Sequence, residues 1–155
     1  MANIDVQDLR KFFMLPQGYE GGGYYTYGRP GNGSSQYVHP QLLTLILRVA
    51  NIWAQSEERK FGVGDISLAN GPRHPDHNTH RSGLEVDIRP VRKDGRRMPC
   101  SIYSSDYDRA ATAKLIGLFN DAANVRHVLF NDAKIANVRH AGGHNDHFHV
   151  ALIGG

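Results

Sequence analysis

Nine histidines stand among the 155 residues, and seven of them fall into two groups: His74, His77 and His80 in one stretch, His140, His144, His147 and His149 in another. The first group runs into an acidic, β-branched segment, "HPDHNTHRSGLEVDIRP", and the second reads "GHNDHFHVALIGG". Imidazole nitrogens and carboxylate oxygens at this density are metal donors. Two histidines and an aspartate are an ordinary set for a catalytic zinc, which leaves its fourth position to water. Such an ion brings the pKa of its water to around 7 and polarises a carbonyl, enough to hydrolyse an unactivated amide at neutral pH. A spare histidine nearby serves as general base or as charged partner of the tetrahedral intermediate, and His147 is placed for that task. The HExxH helix of zincin proteases is absent. A cupin would need a glutamate, another strand and another histidine downstream, and six residues follow His149.

Donors do chemistry only where the backbone gathers them. In "LEVDIRP" at 84–90 a strand puts Leu84, Val86 and Ile88 on one face and Glu85 and Asp87 on the other, so Asp87 looks away from the core towards the loop that carries His80. In "HFHVALI" at 147–153 the same alternation puts His147 and His149 on one face and Phe148 and Val150 on the other. Two imidazoles so placed either share one ion, or one binds it while the other works on substrate. Further β-rich runs are "DISLA" at 65–69 and "VRHVLFN" at 125–131. Leu42, Leu45, Ile46, Val49 and Trp53 recur at helical spacing behind Pro40, which predicts an amphipathic helix over about 40–57. A second helix, capped by Ser105 or Asp106, presents Ala111, Leu115, Leu118 and Ala122 on one face. Residues 16–40, rich in Gly, Tyr and Ser without periodicity, read as a long loop that binds or covers something. Helix and strand do not alternate regularly, so the expected fold is α+β around a mainly antiparallel sheet, in one domain over 1–155.

Composition excludes more than it selects. The balance of 18 Lys and Arg against 15 Asp and Glu is a dispersed formal +3, no footprint for nucleic acid. No run approaches the roughly 18 apolar residues of a membrane span, and "MANIDVQDLRKFF" has acids where a signal peptide needs a basic start and an apolar run. Cys100 is the only cysteine, so no disulfide forms within the chain, and its surroundings lack any nucleophile signature.

"HNTHRSGLEVDI" followed far downstream by "GHNDHFHV" resembles the paired motifs of the metallopeptidase superfamily that groups lysostaphin-type enzymes, D-alanyl-D-alanine peptidases and the hedgehog signalling domain. Within it the chain is most similar to the penicillin-insensitive murein endopeptidases, which carry an extra histidine three residues before each motif histidine, here His77 and His144. "YVHPQLLTLILRVA", "GVGDISLANGPR" and "VRHVLFNDAKI" extend the likeness over about Tyr24 to Ile153. The resemblance implies a hedgehog-like fold and one zinc ion held by His80, Asp87 and His149. It implies His147 as base or transition-state stabiliser, and His77 and His144 along the same site. It further implies cleavage of D-alanyl-diaminopimelate cross-bridges between peptidoglycan peptide stems. Glu85 shares the face of Asp87 and either bonds a ligand histidine, acts as a second base or is solvated; Arg73 and the tyrosines of 19–37 are suited to substrate carboxylates.

The exported endopeptidases begin with a signal peptide and contain disulfides, and this chain has neither. The expectation is a protein made in the cytoplasm and delivered to the periplasm or wall. The route is either a contact-dependent secretion machine, as an antibacterial effector with an inhibitory immunity partner, or phage lysis. Two other functions fit the same residues: a hedgehog-like zinc module that binds wall without turnover, and a dipeptidase acting on free D-Ala-D-Ala.

Overall fold

The computed structural model describes residues 12–17, 22–69, 71 and 73–155. Among these, the elements are β1 (Phe13–Met14), β2 (Tyr24–Thr26), β3 (Tyr37–Val38), α1 (Pro40–Ala54), β4 (Phe61–Val63), β5 (Glu85–Ile88), α2 (Arg109–Asn120), β6 (Val125–Leu129) and β7 (Phe148–Leu152). β1 and β3 form a small antiparallel ribbon, and the main sheet has the order β2-β4-β5-β7-β6. All its pairs are antiparallel except β2 with β4. The class is therefore α+β, as the irregular element order predicts.

Each strand of the sheet sends one set of side chains into the core and the other to the opposite face. Tyr24, Phe61, Val63, Val86, Ile88, Val128, Phe148, Val150 and Leu152 are buried on the core side. α1 closes it with Leu42, Leu45, Ile46, Val49, Ala50 and Trp53, and α2 with Ala111, Thr112, Leu115, Ile116 and Phe119. Edge-on contacts of Phe61 with Trp53 and Phe119, and of Phe119 with Phe148, lock helices and sheet together. α1 starts where the His39 ring accepts the Gln41 N–H and Pro40 needs no partner for a missing one. It ends at Ala54, short of the expected 57. α2 is capped by Asp108, whose carboxylate accepts the Ala111 N–H, and not by Ser105 or Asp106. Ala111 and Leu115 enter the core as expected and Phe119 joins them, whereas Leu118 is only partly covered and Ala122 lies beyond the helix.

Two further expectations are corrected. The run 65–69 is not a strand; the strand lies just before it, at Phe61–Val63. The 16–40 stretch is not one loop, since β2 and β3 lie inside it; residues 18–21, with Tyr19, fall outside the described residues. One physical cause accounts for much of this. Gly62 and Gly64 look like strand breakers, but a Cβ on Gly62 would meet the Tyr25 ring at 2.8 Å and one on Gly64 the Tyr27 ring at 2.5 Å. The bare glycine backbone is the surface on which Tyr25 of β2 and Tyr27 just after it lie.

Candidate active site

The face of the sheet opposite the helices carries Tyr25 and Tyr27, then Gly62 and Gly64, then Glu85, Asp87 and Arg89, then His149, in the order of the strands. β5 and β7 pair Asp87 with His149 and Glu85 with Ala151. A bulge in β6 between Val125 and His127 restores the register so that Val128 meets Val150 on the core side. The His127 ring then stacks on His149 at 6.2 Å. Loops bring the remaining histidines over this face, and they bury it: His80 is 2 %, Glu85 4 %, Asp87 6 % and His149 5 % exposed. The carboxylates thus face away from the apolar core as alternation predicts, yet they are not solvated. They are satisfied by the His149 ring, which reaches both, and by the His80 backbone N–H on Glu85, which is what a buried charge requires.

His80 has a backbone φ of 61°, a left-handed conformation rare outside glycine. Two bonds hold it there. Its N–H donates to Glu85 Oε2 at 2.7 Å, and its ring Nδ1 donates to the Ile66 carbonyl at 2.7 Å. Because a carbonyl only accepts, Nδ1 carries the proton and Nε2 keeps its lone pair. That Nε2 stands 3.4 Å from Asp87 Oδ1. His149 approaches the same oxygen from β7, with Nδ1 at 3.0 Å, and turns Nε2 to Glu85 Oε1 at 3.4 Å.

The electrostatics follow from that packing. Burial opposes a charge on His149, but the bonds to Asp87 and Glu85 outweigh it and raise its pKa to about 9. Burial likewise opposes the charge of Glu85, and the His149 bond with the His80 N–H overcomes it, holding the carboxyl at about 2. Asp87 is driven far below the ordinary carboxylate range against its burial, chiefly by the bond from His149.

Among the described residues, two groups of donors have ligand atoms within 4.8 Å of one another: His77, His80 and Asp87, and Asp65, His74 and His77. The tautomers separate them. His74 Nδ1 accepts the Asp76 backbone N–H at 3.1 Å, so its Nε2 bears hydrogen. That Nε2 is buried, has no hydrogen-bond partner among the described residues and lies 3.9 Å from Asp65 Oδ2. It is a donor without an acceptor and offers a cation nothing. His80 is its converse, a lone pair aimed at Asp87 with the other nitrogen fixed by a carbonyl, the usual support of a metal-binding imidazole. The residues around Asp87 can therefore bind a metal. His77 donates Nε2–H to Asp65 Oδ2 at 2.9 Å and sits 3.7 Å from Asp87 Oδ2, and the Asp65 bond raises its pKa.

The downstream motif lies over the same spot. His147 Nδ1 pairs with Asp146 Oδ1 at 2.8 Å, leaving Nε2 directed at Asp87 Oδ1, 3.8 Å away. His144 turns Nδ1 to the carbonyl of Gly142 at 2.9 Å; its ring is 4.8 Å from His147 and 5.9 Å from His149, and burial followed by the charge of His147 lowers its pKa. A cleft of about 470 Å³ is lined by His77, His80, Glu85, Asp87, His127, His144, His147 and His149. A second of about 430 Å³ shares His77, Asp87 and His147 and extends to Tyr27, Arg29 and Arg89. Seven of the eight residues selected from sequence thus come together. Arg73 does not: it is exposed and lines neither cleft. His140 is also exposed, outside both. Sequence reasoning missed Asp65, His127, Asp146 and Arg89. Asp146 was the most accessible of these, as a carboxylate adjacent to His147.

The open face of this α+β scaffold gathers histidines around buried carboxylates beneath two adjoining clefts. The chain belongs to the penicillin-insensitive murein endopeptidase family, whose model matches residues 19–127. The match includes His80 and Asp87 and stops before His144, so the downstream histidines join the site on the strength of the β5–β7 pairing. No curated protein matches the chain. Its class is that of a murein endopeptidase, a hydrolase acting on cell-wall peptidoglycan. Among the described residues, no helix is long and apolar enough to cross a membrane.

Proposed function

We propose that the protein is a zinc-dependent D,D-endopeptidase that cuts the D-alanyl-diaminopimelate cross-bridge of peptidoglycan, with His80, Asp87 and His149 as metal ligands and His147 as general base. The observation that carries this reading is the convergence of His80 Nε2 and His149 Nδ1 on one oxygen of Asp87, at 3.4 and 3.0 Å. Two imidazoles and a carboxylate suit zinc, and a zinc ion, when bound, supplies a Lewis acid that polarises the scissile carbonyl and acidifies water.

The chain's own groups do the rest. His149 can give up its Nδ1 proton while Nε2–H stays with Glu85, so binding of the cation leaves the ring oriented. His147, with Nδ1–H held by Asp146, keeps an Nε2 lone pair open to the cleft, and takes a proton there before handing it to the leaving amine. His77, whose pKa the Asp65 bond raises, sits across Asp87 from His149, and its Nε2–H favours negative charge developing in the cleft.

The test is digestion of purified cell wall with mass analysis of the muropeptides, with and without chelator. Cross-linked dimers should fall to monomers by hydrolysis of the D-alanyl amide, and the chelator should stop it. The His147→Ala variant should retain zinc but lose cleavage, whereas His149→Ala should lose both. Dimers left intact by zinc-replete protein would refute the enzyme reading.

A further inference from the structure

Arg89, a cation in the cleft, has no anion among the described residues. Arg89 follows β5 and continues its ladder, its N–H donating to the Gly62 carbonyl at 3.0 Å, so its side chain shares the open face with Glu85 and Asp87. The guanidinium lies 3.9 Å above the centre of the Tyr27 ring, and Tyr27 in turn lies on the bare backbone of Gly64. This stack fixes the plane of the guanidinium and leaves its N–H edges free. Among the described residues Arg89 makes no hydrogen bond or ion pair from its side chain. Other carboxylates of the cleft are already engaged: Asp65 by Ser35, His77 and the Arg29 N–H, Asp87 by His149, Asp146 by His147. Among the described residues that line this cleft, only Asp76, at the exposed rim, has no such partner.

We propose that Arg89 is a carboxylate anchor, binding the acid group borne on the carbon next to the scissile amide nitrogen. This rests on the D,D-endopeptidase reading, in which the diaminopimelate amine being released carries such a group. The spacing is right. Two residues of strand separate Asp87 from Arg89, about 7 Å. An α-carboxylate lies about 4 Å from the scissile carbonyl carbon, and a charge-assisted hydrogen bond spans about 3 Å more. An amide whose carbonyl stands over Asp87 thus presents its carboxylate to the open fork of Arg89. A planar fork on an aromatic ring binds both oxygens at once, which a lysine could not do.

The inference is tested with cross-linked dimers in two forms, the diaminopimelate carboxylate free or amidated, on wild-type protein and Arg89→Met. Wild type should prefer the free acid through KM, and Arg89→Met should raise KM for that form by roughly 10- to 100-fold with kcat little changed. The variant should no longer distinguish the two forms. Calorimetric binding of the uncleaved free-acid and amidated stem peptides to both proteins separates this proposal from the one beneath it. If no dimer is cut but wild type still binds the free acid more tightly and Arg89→Met does not, the anchor stands and the catalytic reading falls. Equal wild-type affinity for both peptides, or a loss confined to kcat, overturns the anchor. Matching thermal melts of the two proteins exclude a folding defect, and Arg89→Lys should recover only part of the preference.

Discussion

Glu85 holds the two halves of the site to each other. One oxygen takes the backbone N–H of His80 and the other faces Nε2 of His149, so one carboxylate sets both the strained turn upstream and the ring orientation downstream. Replacement by Gln keeps the size but turns an amide N–H towards one of those donors. The expected result for Glu85→Gln is a 10- to 100-fold weaker metal affinity, read by competition with a calibrated chelator; unchanged affinity would mean that Glu85 merely fills space. On the proposed mechanism, Asp146 acts on the base instead of the ion. Its removal in Asp146→Ala should lower kcat by about tenfold with metal content intact, the low end for an orienting carboxylate because Asp146 is largely exposed. The convergence of Asp87 and His149 was legible in the sequence, since period-two alternation alone sends both to the same face. Glu85's position was legible too, though not its partners. Asp65 and His127 were not legible, because their nearness to His77 and His149 depends on a coil after β4 and on a bulge in β6, neither of which leaves a periodic trace.

At the scale of elements, the sequence spoke clearly where a single strand or helix carries its own pattern and poorly where two must meet. α1 is written in the spacing from Leu42 to Trp53, and β5 and β7 in their alternation. β2 and β4 are short, parallel and interrupted by glycine, and what defines them is the fit of tyrosine rings on Gly62 and Gly64, a property of the pair. A similar closeness joins β2 to α1: a Cβ on Gly23 would overlap the Ala50 carbonyl oxygen in the helix. Gly23→Ala must push α1 away from the sheet, and should cost about 1–3 kcal/mol, seen as an earlier midpoint in urea with an unchanged slope. A neutral substitution would show that helix and strand can slide apart freely.

For the whole molecule, the charges outside the site fasten its periphery. Arg59, just past α1, forks onto Glu57 and reaches Asp108 at the start of α2 and the carbonyl of Arg92. The side-chain bond to Arg59 is the main reason that the Glu57 carboxyl is lowered from 4.5 to about 2. Its contribution is complete above pH 4.5 and disappears as the pH falls through about 2. Glu57→Gln should therefore be less stable than wild type by about 1 kcal/mol at pH 7, with the gap narrowing between pH 4.5 and 2 in paired thermal melts; a gap independent of pH would assign the loss to packing.

The bond between His149 and Asp87 joins residues 62 positions apart in the chain, and its geometry exists only when β7 has inserted between β5 and β6. During synthesis the upstream donors emerge first, and they remain an incomplete constellation until residues 147–152 have left the ribosome and found their place in the sheet. On the proposed reading, a chain that lacks β7 lacks His149 and should not hydrolyse cross-links, so insertion of this one strand completes the site.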